Sequence, residues 1–338
     1  MPSARTAGLF RRYGMLLILL LIVGCISLLS KNFLTLSNFL VITRQVSING
    51  LVAAGMTLVI LLAGIDLSVG GVIALAGALL AMTLAATHNV ALAVLVGLGV
   101  GAVVGTVNGL FVSYLDLPPF IVTLASLALS RGATLVITEG RPILVDSPSF
   151  EAIGGGYVGA VPIPVLITAA VYAVLAVLLY NTRFGRQVYA IGGNEAACRM
   201  SGIDVGRTKT VIYALCGALA GLTSIVLTSR LVSAQPTAGS GYELDAIAAV
   251  ILGGTSMSGG VGGVGGTIVG AFIIGVLGNG LNLLNVSPFY QDVAKGLVIL
   301  VAIVLDRLLH VTAEKESIRA LGRGRGDSGT SASAVAGE

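Results

Sequence analysis

Tryptophan is absent, and charged residues make up only 10% of the chain. That is too little charge to cover a water-soluble domain of 338 residues, so an ordinary soluble fold is excluded. Without tryptophan, any aromatic anchoring at a membrane surface falls to tyrosine and phenylalanine. Three cysteines, Cys25, Cys198 and Cys216, show no paired spacing, which speaks against a disulfide framework or a metal-ligand cluster. His88 and His310 stand far apart, and no Ser/His/Asp or metal arrangement can be read around either. None of the four lysines follows a glycine and no G-x-x-x-x-G-K-[ST] occurs, so nucleotide hydrolysis by a P-loop is excluded on this chain. Gly260, Gly262 and Gly265 match G-x-G-x-x-G, but no strand precedes them and no βαβ unit surrounds them. No enzyme is expected, and no cofactor on the chain itself.

What is there is apolar: 56% of residues, with a mean hydropathy of +1.00. Such a chain belongs in a bilayer. Ten apolar runs can be read: Met15 to Ser30, Val46 to Gly64, Val69 to Ala86, Ala91 to Val112, Phe120 to Ile137, Val165 to Tyr180, Thr210 to Ser229, Leu244 to Thr255, Thr267 to Leu284 and Val293 to Leu309. Most are close to the ~20 residues that a membrane-crossing helix requires. The first follows Arg5, Arg11 and Arg12 without a cleavage site, and reads as a retained span.

Between the sixth and seventh runs lies a hydrophilic loop, residues 181–209, with Arg183, Arg186, Arg199, Arg207 and Lys209 against Glu195 and Asp204. Basic loops are retained in the cytoplasm during insertion. Ten crossings then place both termini inside, in agreement with Arg307, Lys315, Arg319, Arg323 and Arg325 after the last run. The net charge of +4 follows from this topology and is no nucleic-acid signal. The expected fold is an all-α polytopic membrane protein of about ten transmembrane helices with broken or re-entrant segments. Its parts are a cytoplasmic segment 1–14, a membrane domain 15–309 with the loop 181–209, and a cytoplasmic tail 310–338, low in complexity from Gly322 and expected to be disordered.

Within the basic loop, Asn194 can cap a helix that Glu195 opens and Gly202 stops. About two turns are marginal in water, so this helix needs a neighbour. A partner protein, the chain's own bundle and lipid headgroups all qualify. Leu244 to Thr255 is short, and the stretch around Asp66 and Ser68 interrupts two apolar runs. Each is either a broken segment lining a pathway or, at Asp66, a tight hairpin at the membrane surface. Glycine accounts for 47 residues, and Gly97, Gly101, Gly105 and Gly109 form an every-fourth ladder. The ladder predicts one closely crossed helix pair, packing within the bundle being preferred to a dimerisation face.

The spans hold almost no ionisable group, unlike ion-coupled carriers. Arg131 either lines a pathway or pairs with a neighbouring helix, and pairing is preferred. The neutral residues Asn49, Asn108, Ser126, Ser130, Asn279 and Asn282 can hydrogen-bond an uncharged hydroxylated solute, or join helix to helix. A self-contained carrier or channel for a small neutral solute remains an alternative, as does a membrane scaffold.

Three long stretches carry a family resemblance: GMTLVILLAGIDLSVG (Gly55 to Gly70), YAIGGNEAACRMSGI (Tyr189 to Ile203) and SAQPTAGSGYELDAIAAVILGGTSMSGG (Ser233 to Gly260). From about Leu34 to Asp306 the chain resembles the permease subunits of ribose-type ABC sugar importers. The resemblance implies a bacterial inner-membrane subunit that forms the path for a monosaccharide, a ribose-like pentose first among the candidates. It implies a second permease copy, identical or a close paralogue, a periplasmic sugar-binding protein, and cytoplasmic ATPase subunits that hold ATP and Mg. On the same resemblance Asn194, Glu195, Ala196, Ala197, Arg199 and Gly202 form the element that docks on the ATPase. Asp66, Ser68, Asn108, Asn279 and Asn282 are pathway candidates, and Arg230, Glu243 and Asp245 are anchors for the binding protein. Cys198 stands where a small residue is expected, and Val261 where a basic one often follows the Gly-Gly turn.

Overall fold

The computed structural model describes residues 4–297 and 300, with side chains from Met15 onward. Outside the described residues lie the side chains of Arg5, Arg11 and Arg12, the last span beyond Leu297, and the tail with its basic residues. Two compact units divide the chain, 1–295 and 296–338.

In the first unit the helices are α1 (Ala4–Leu29), α2 (Leu36–Leu61), α3 (Val69–Thr87), α4 (Val90–Tyr114), α5 (Pro119–Thr138), α6 (Pro148–Gly155), α7 (Ile163–Asn181), α8 (Arg183–Gly193), α9 (Glu195–Met200), α10 (Val205–Leu231), α11 (Tyr242–Leu252) and α12 (Val264–Leu283). Residues 288–295 are helical too and form the closing helix. Among the described residues, seven of these helices are long and apolar enough to cross a membrane: α2, α3, α4, α5, α7, α10 and α12. Met15–Leu29 is a shorter apolar stretch within α1. The chain is therefore a helical polytopic membrane protein. The all-α expectation is modified by two short antiparallel ladders, β1 (Ile143–Leu144) with β4 (Ser233–Ala234), and β2 (Tyr157–Val158) with β3 (Val161–Pro162).

α2 is the centre of the bundle, touched by α7, α10, α11 and α12 and buried along most of its length. An apolar helix without a polar face is stable only in such a position. Further out, α4, α5 and α7 present exposed apolar side chains, Leu95, Val103, Leu129, Val136 and Val174 among them, as lipid-facing surfaces require. α2 starts well before the expected Val46. Thr35 caps it by accepting from the Asn38 N–H, and its polar first turns find partners in Asn279 and in Tyr157, whose ring lies 4.5 Å from the Arg44 guanidinium.

The glycine ladder packs α4 against α10 inside the chain. Gly101 meets Gly217, Gly105 meets the Tyr213 carbonyl, and Gly221 answers Gly97 from the other side. A Cβ at Gly109 would stand 2.7 Å from Thr210 Cα. Bundle packing, and not a dimer face, uses these glycines.

The loop Thr138 to Pro164 is a folded cap. Phe150 of α6 is fully buried among Leu80, Val145 and Ile225, and Ser229 Oγ both donates to the Phe150 carbonyl at 2.6 Å and accepts from Gly154 N at 2.6 Å.

Candidate coupling surface and translocation site

The basic loop folds into two helices in sequence. Thr182 caps α8 by accepting from Gly185 N at 3.1 Å. α8 is amphipathic, burying Gly185, Val188 and Ile191 while Arg183 and Arg186 face out. Asn194 then serves twice, ending α8 through its N–H and capping α9 by accepting from Ala197 N at 2.9 Å. Gly202 stops α9 at φ +78, where a side chain would be strained.

Six residues cannot hold a helix alone, and two ion pairs brace this one. Glu195 accepts from Arg199 at 2.8 Å and from Lys209 of α10 at 2.6 Å. Partial burial pushes the Glu195 carboxyl up, but the hydrogen bonds from Lys209 and then Arg199 outweigh it and hold the group below the usual carboxylate range. Cys198 is buried beneath the helix, which accounts for a small side chain there. Asn194, Ala196, Arg199 and Gly202 are exposed, Glu195 and Ala197 partly covered. At the tip stands Met200, 85% exposed, which sequence reasoning passed over although it shares a face with Ala196 one turn earlier.

The loop is joined to the transmembrane core by a backbone junction. Gly260 N donates to the Leu61 carbonyl at 2.9 Å, and Gly192 is pressed against that same carbonyl. Tyr189 Oη donates to the Gly262 carbonyl at 2.9 Å. Burial, and next the neighbouring Tyr180, push that phenol up, so it keeps the proton it donates. Of the glycines in the G-x-G-x-x-G match, Gly260 at φ +70 and Gly262 at φ +127 belong to the turn leading into α12, and Gly265 lies in its first turn. They carry the chain between α11 and α12, and Val261 is exposed beside them.

The five pathway candidates fall in two places. Asp66, Ser68 and Asn108 form a closed internal knot, each nearly inaccessible. Asp66 Oδ1 accepts from Ser68 N at 2.9 Å and from Ser68 Oγ, while Asn108 Nδ2 donates to Ser68 Oγ at 2.9 Å. This knot ties the break between α2 and α3 to α4, with Asp66 Oδ2 buried and left without a hydrogen bond among the described residues. Asn279 and Asn282, on α12, border a cavity. It measures about 170 Å³ and lies between α2, α11, α12 and the closing helix, with Gln45, Asn49, Asp245, Gln291 and Lys295 in its walls. Much of that wall is already paired: Asn279 with Asn38, and Asn282 with Gln291 at 2.8 Å.

Two of the three expected docking anchors are internal. Glu243 and Asp245 are 8% and 7% exposed on α11. Glu243 pairs with Arg131 at 3.4 Å, so Arg131 does pair with a neighbouring helix, and Asp245 pairs with Lys295 at 3.0 Å. Both carboxylates lie in the first turn of α11 and face neighbouring helices. Arg230 stays half-exposed at the end of α10, donating to Gln45 Oε1 at 3.4 Å beside the cavity.

A bundle of apolar helices with a broken segment, a polar cavity and a projecting capped helix defines a membrane transport subunit. Residues 38–303 match the family profile described as "Branched-chain amino acid transport system / permease component", and the chain belongs to that permease family. It is 51% identical over 302 residues to the ribose import permease protein RbsC of Bacillus subtilis, covering 89% of this chain and 94% of that one. To RbsC of Escherichia coli K12 it is 48% identical over 295 residues, 86% and 92% of the two chains. The L-arabinose transport system permease protein AraH of the same strain is 37% identical over 296 residues, 88% of this chain and 90% of AraH. No solved structure matches. The chain is thus a multi-pass permease subunit of a bacterial ABC importer and not an enzyme.

Proposed function

We propose that this permease forms the membrane path for a ribose-like pentose, with ten crossings and both termini in the cytoplasm. The seven long helices account for seven of these crossings. Met15–Leu29, α11 continued by its Gly-rich turn, and the apolar run read from the sequence as Val293 to Leu309 are assigned the other three. The high identity to permeases named for ribose supports a pentose over other solutes. A second permease copy and a periplasmic binding protein complete the outer side, and separate ATPase subunits carry ATP and Mg.

One observation carries the coupling role: a six-residue helix braced by Glu195 projects Ala196, Arg199 and Met200 away from the bundle. Such a knob suits a groove on a partner. ATP-driven approach of the ATPase subunits presses on α9, and the Gly192–Leu61–Gly260 junction passes the movement to α2 and α12, two walls of the cavity. Arg230 is the remaining candidate for contact with the binding protein.

The test is co-purification of the detergent-solubilised chain with its ATPase, wild type beside Glu195→Arg. Retention by the wild type and loss by the variant supports the reading. Sugar uptake into vesicles with neither ATPase nor ATP would instead make the chain a self-contained carrier.

A further inference from the structure

Arg131 stands in the middle of α5 (Pro119–Thr138), with Phe120, Ile121 and Leu124 exposed before it and Leu135 and Val136 exposed after it. Its own side chain is 39% exposed. A guanidinium at that depth is costly against acyl chains, and an arginine on a lipid face escapes by reaching along its helix to the headgroups. Here that escape is closed. Arg131 Nη2 donates to Glu243 Oε1 at 3.4 Å, and Glu243 is fixed in the first turn of α11 with its other oxygen over Gly70 of α3. Gly71 in turn abuts the Leu127 carbonyl of α5, so three helices hold the pair at one level.

The pair is lopsided. The Glu243 side chain is 11% exposed against 39% for Arg131, so whatever lies outside this edge of α5 meets the cation and hardly the carboxylate. A guanidinium carries a fork of donors, and among the described residues Glu243 is the acceptor that meets it. The donors left over call for water or a solute. In the cavity between α2 and α12, by contrast, Asp245 and Lys295 are closed on each other.

We infer that the edge of α5 marked by Arg131 borders the aqueous path of the solute, its other wall coming from outside this chain. Arg131, positioned by Glu243, presents to that path a fixed cationic hydrogen-bond donor that repels cationic solutes. The inference rests on the importer reading and adds to it a location and two residues. By helical spacing Leu124, Ala128 and Leu135 share the Arg131 edge, whereas Leu129 and Val136, 74% and 79% exposed, share a different face toward lipid.

The test is thiol labelling of the assembled importer in vesicles, in a Cys25→Ser background because Cys198 and Cys216 are buried. Ala128→Cys and Leu129→Cys, adjacent and at one depth, are treated with membrane-impermeant anionic and cationic methanethiosulfonates, with and without ATP. Ala128→Cys should react and lose ribose uptake on labelling; Leu129→Cys should stay unlabelled and keep it. Adding Arg131→Gln and Glu243→Gln together removes the pair without stranding a buried charge. The ratio of anionic to cationic labelling rates at Ala128→Cys should then fall by about threefold or more. An ion pair with a structural role alone would leave the ratio unchanged, and that result overturns the inference. Equal labelling at both positions overturns it as well. So does no labelling of Ala128→Cys in an importer that takes up ribose, as an edge sealed by lipid or by a second copy would give, and the importer reading then still stands. Failure of the wild-type importer to take up ribose removes the reading beneath it.

Discussion

Asn38 and Asn279 exchange two hydrogen bonds between α2 and α12: Asn38 Nδ2 donates to Asn279 Oδ1 at 3.0 Å, and Asn279 Nδ2 returns one to Asn38 Oδ1 at 2.9 Å. This reciprocal pair occupies both amides and makes Asn279 first of all a bond between helices. In a double-mutant cycle with leucine at both positions, the coupling energy should fall at about 0.6 to 1.7 kcal/mol, the range for interhelical hydrogen bonds in bilayers. Thermal unfolding in detergent is the measurement, and a coupling near zero would return Asn279 to the pathway alone.

The α4–α10 crossing yields a paired prediction on one helix. Gly105 abuts the Tyr213 carbonyl, whereas a Cβ at Gly99 meets nothing within 4 Å. Gly105→Ala should therefore cost about 1–3 kcal/mol through overpacking, and Gly99→Ala less than about 0.5 kcal/mol. Folded yield and melting temperature of the two variants check it.

At the coupling helix, Met200→Asp should leave the bundle folded, since the side chain touches little of its own chain. Affinity for the ATPase should drop by about tenfold or more, as expected for an exposed apolar anchor. Wild-type retention of the ATPase by this variant would move the docking surface elsewhere.

The same helix has a defined acid limit. Glu195 is held below its ordinary value of 4.5 in the folded protein. A depressed carboxyl contributes its full pairing above the unfolded pKa and loses it only as pH falls through the lower folded one. ATPase retention should be flat from about pH 8 to about pH 6, and α9 should loosen only below about 4.5. Hydrogen exchange over residues 195–203, with Glu195→Gln as the permanently neutral control, reads this directly. A transition near neutrality would show that another group governs the loop.

Gly192→Ala separates docking from transmission. Its new Cβ would press on the Leu61 carbonyl and stand 2.5 Å from Gly260 N, away from the exposed face of α9. The ATPase should still co-purify and hydrolyse ATP while sugar uptake per ATP falls. Full uptake would exclude the junction as the mechanical link.

Much of this protein was legible locally. Apolar runs, the basic loop, and Asn194, Glu195 and Gly202 around a short helix are properties of neighbouring residues, and a bilayer reads them almost one segment at a time. The glycine ladder also announced a close crossing, though not its partner. That Gly217 and Gly221 of α10 receive it was decided by folding, as was α8, whose helix the paired glycines at its end disguised. Tertiary structure alone turned Glu243 and Asp245 inward and joined Asn38 to a residue 241 positions away. It also set Asn49, Asp245 and Lys295 around one cavity. The reason is physical: a polar group inside a membrane takes its role from the partner that satisfies it, and that partner comes from wherever the packed helices bring it.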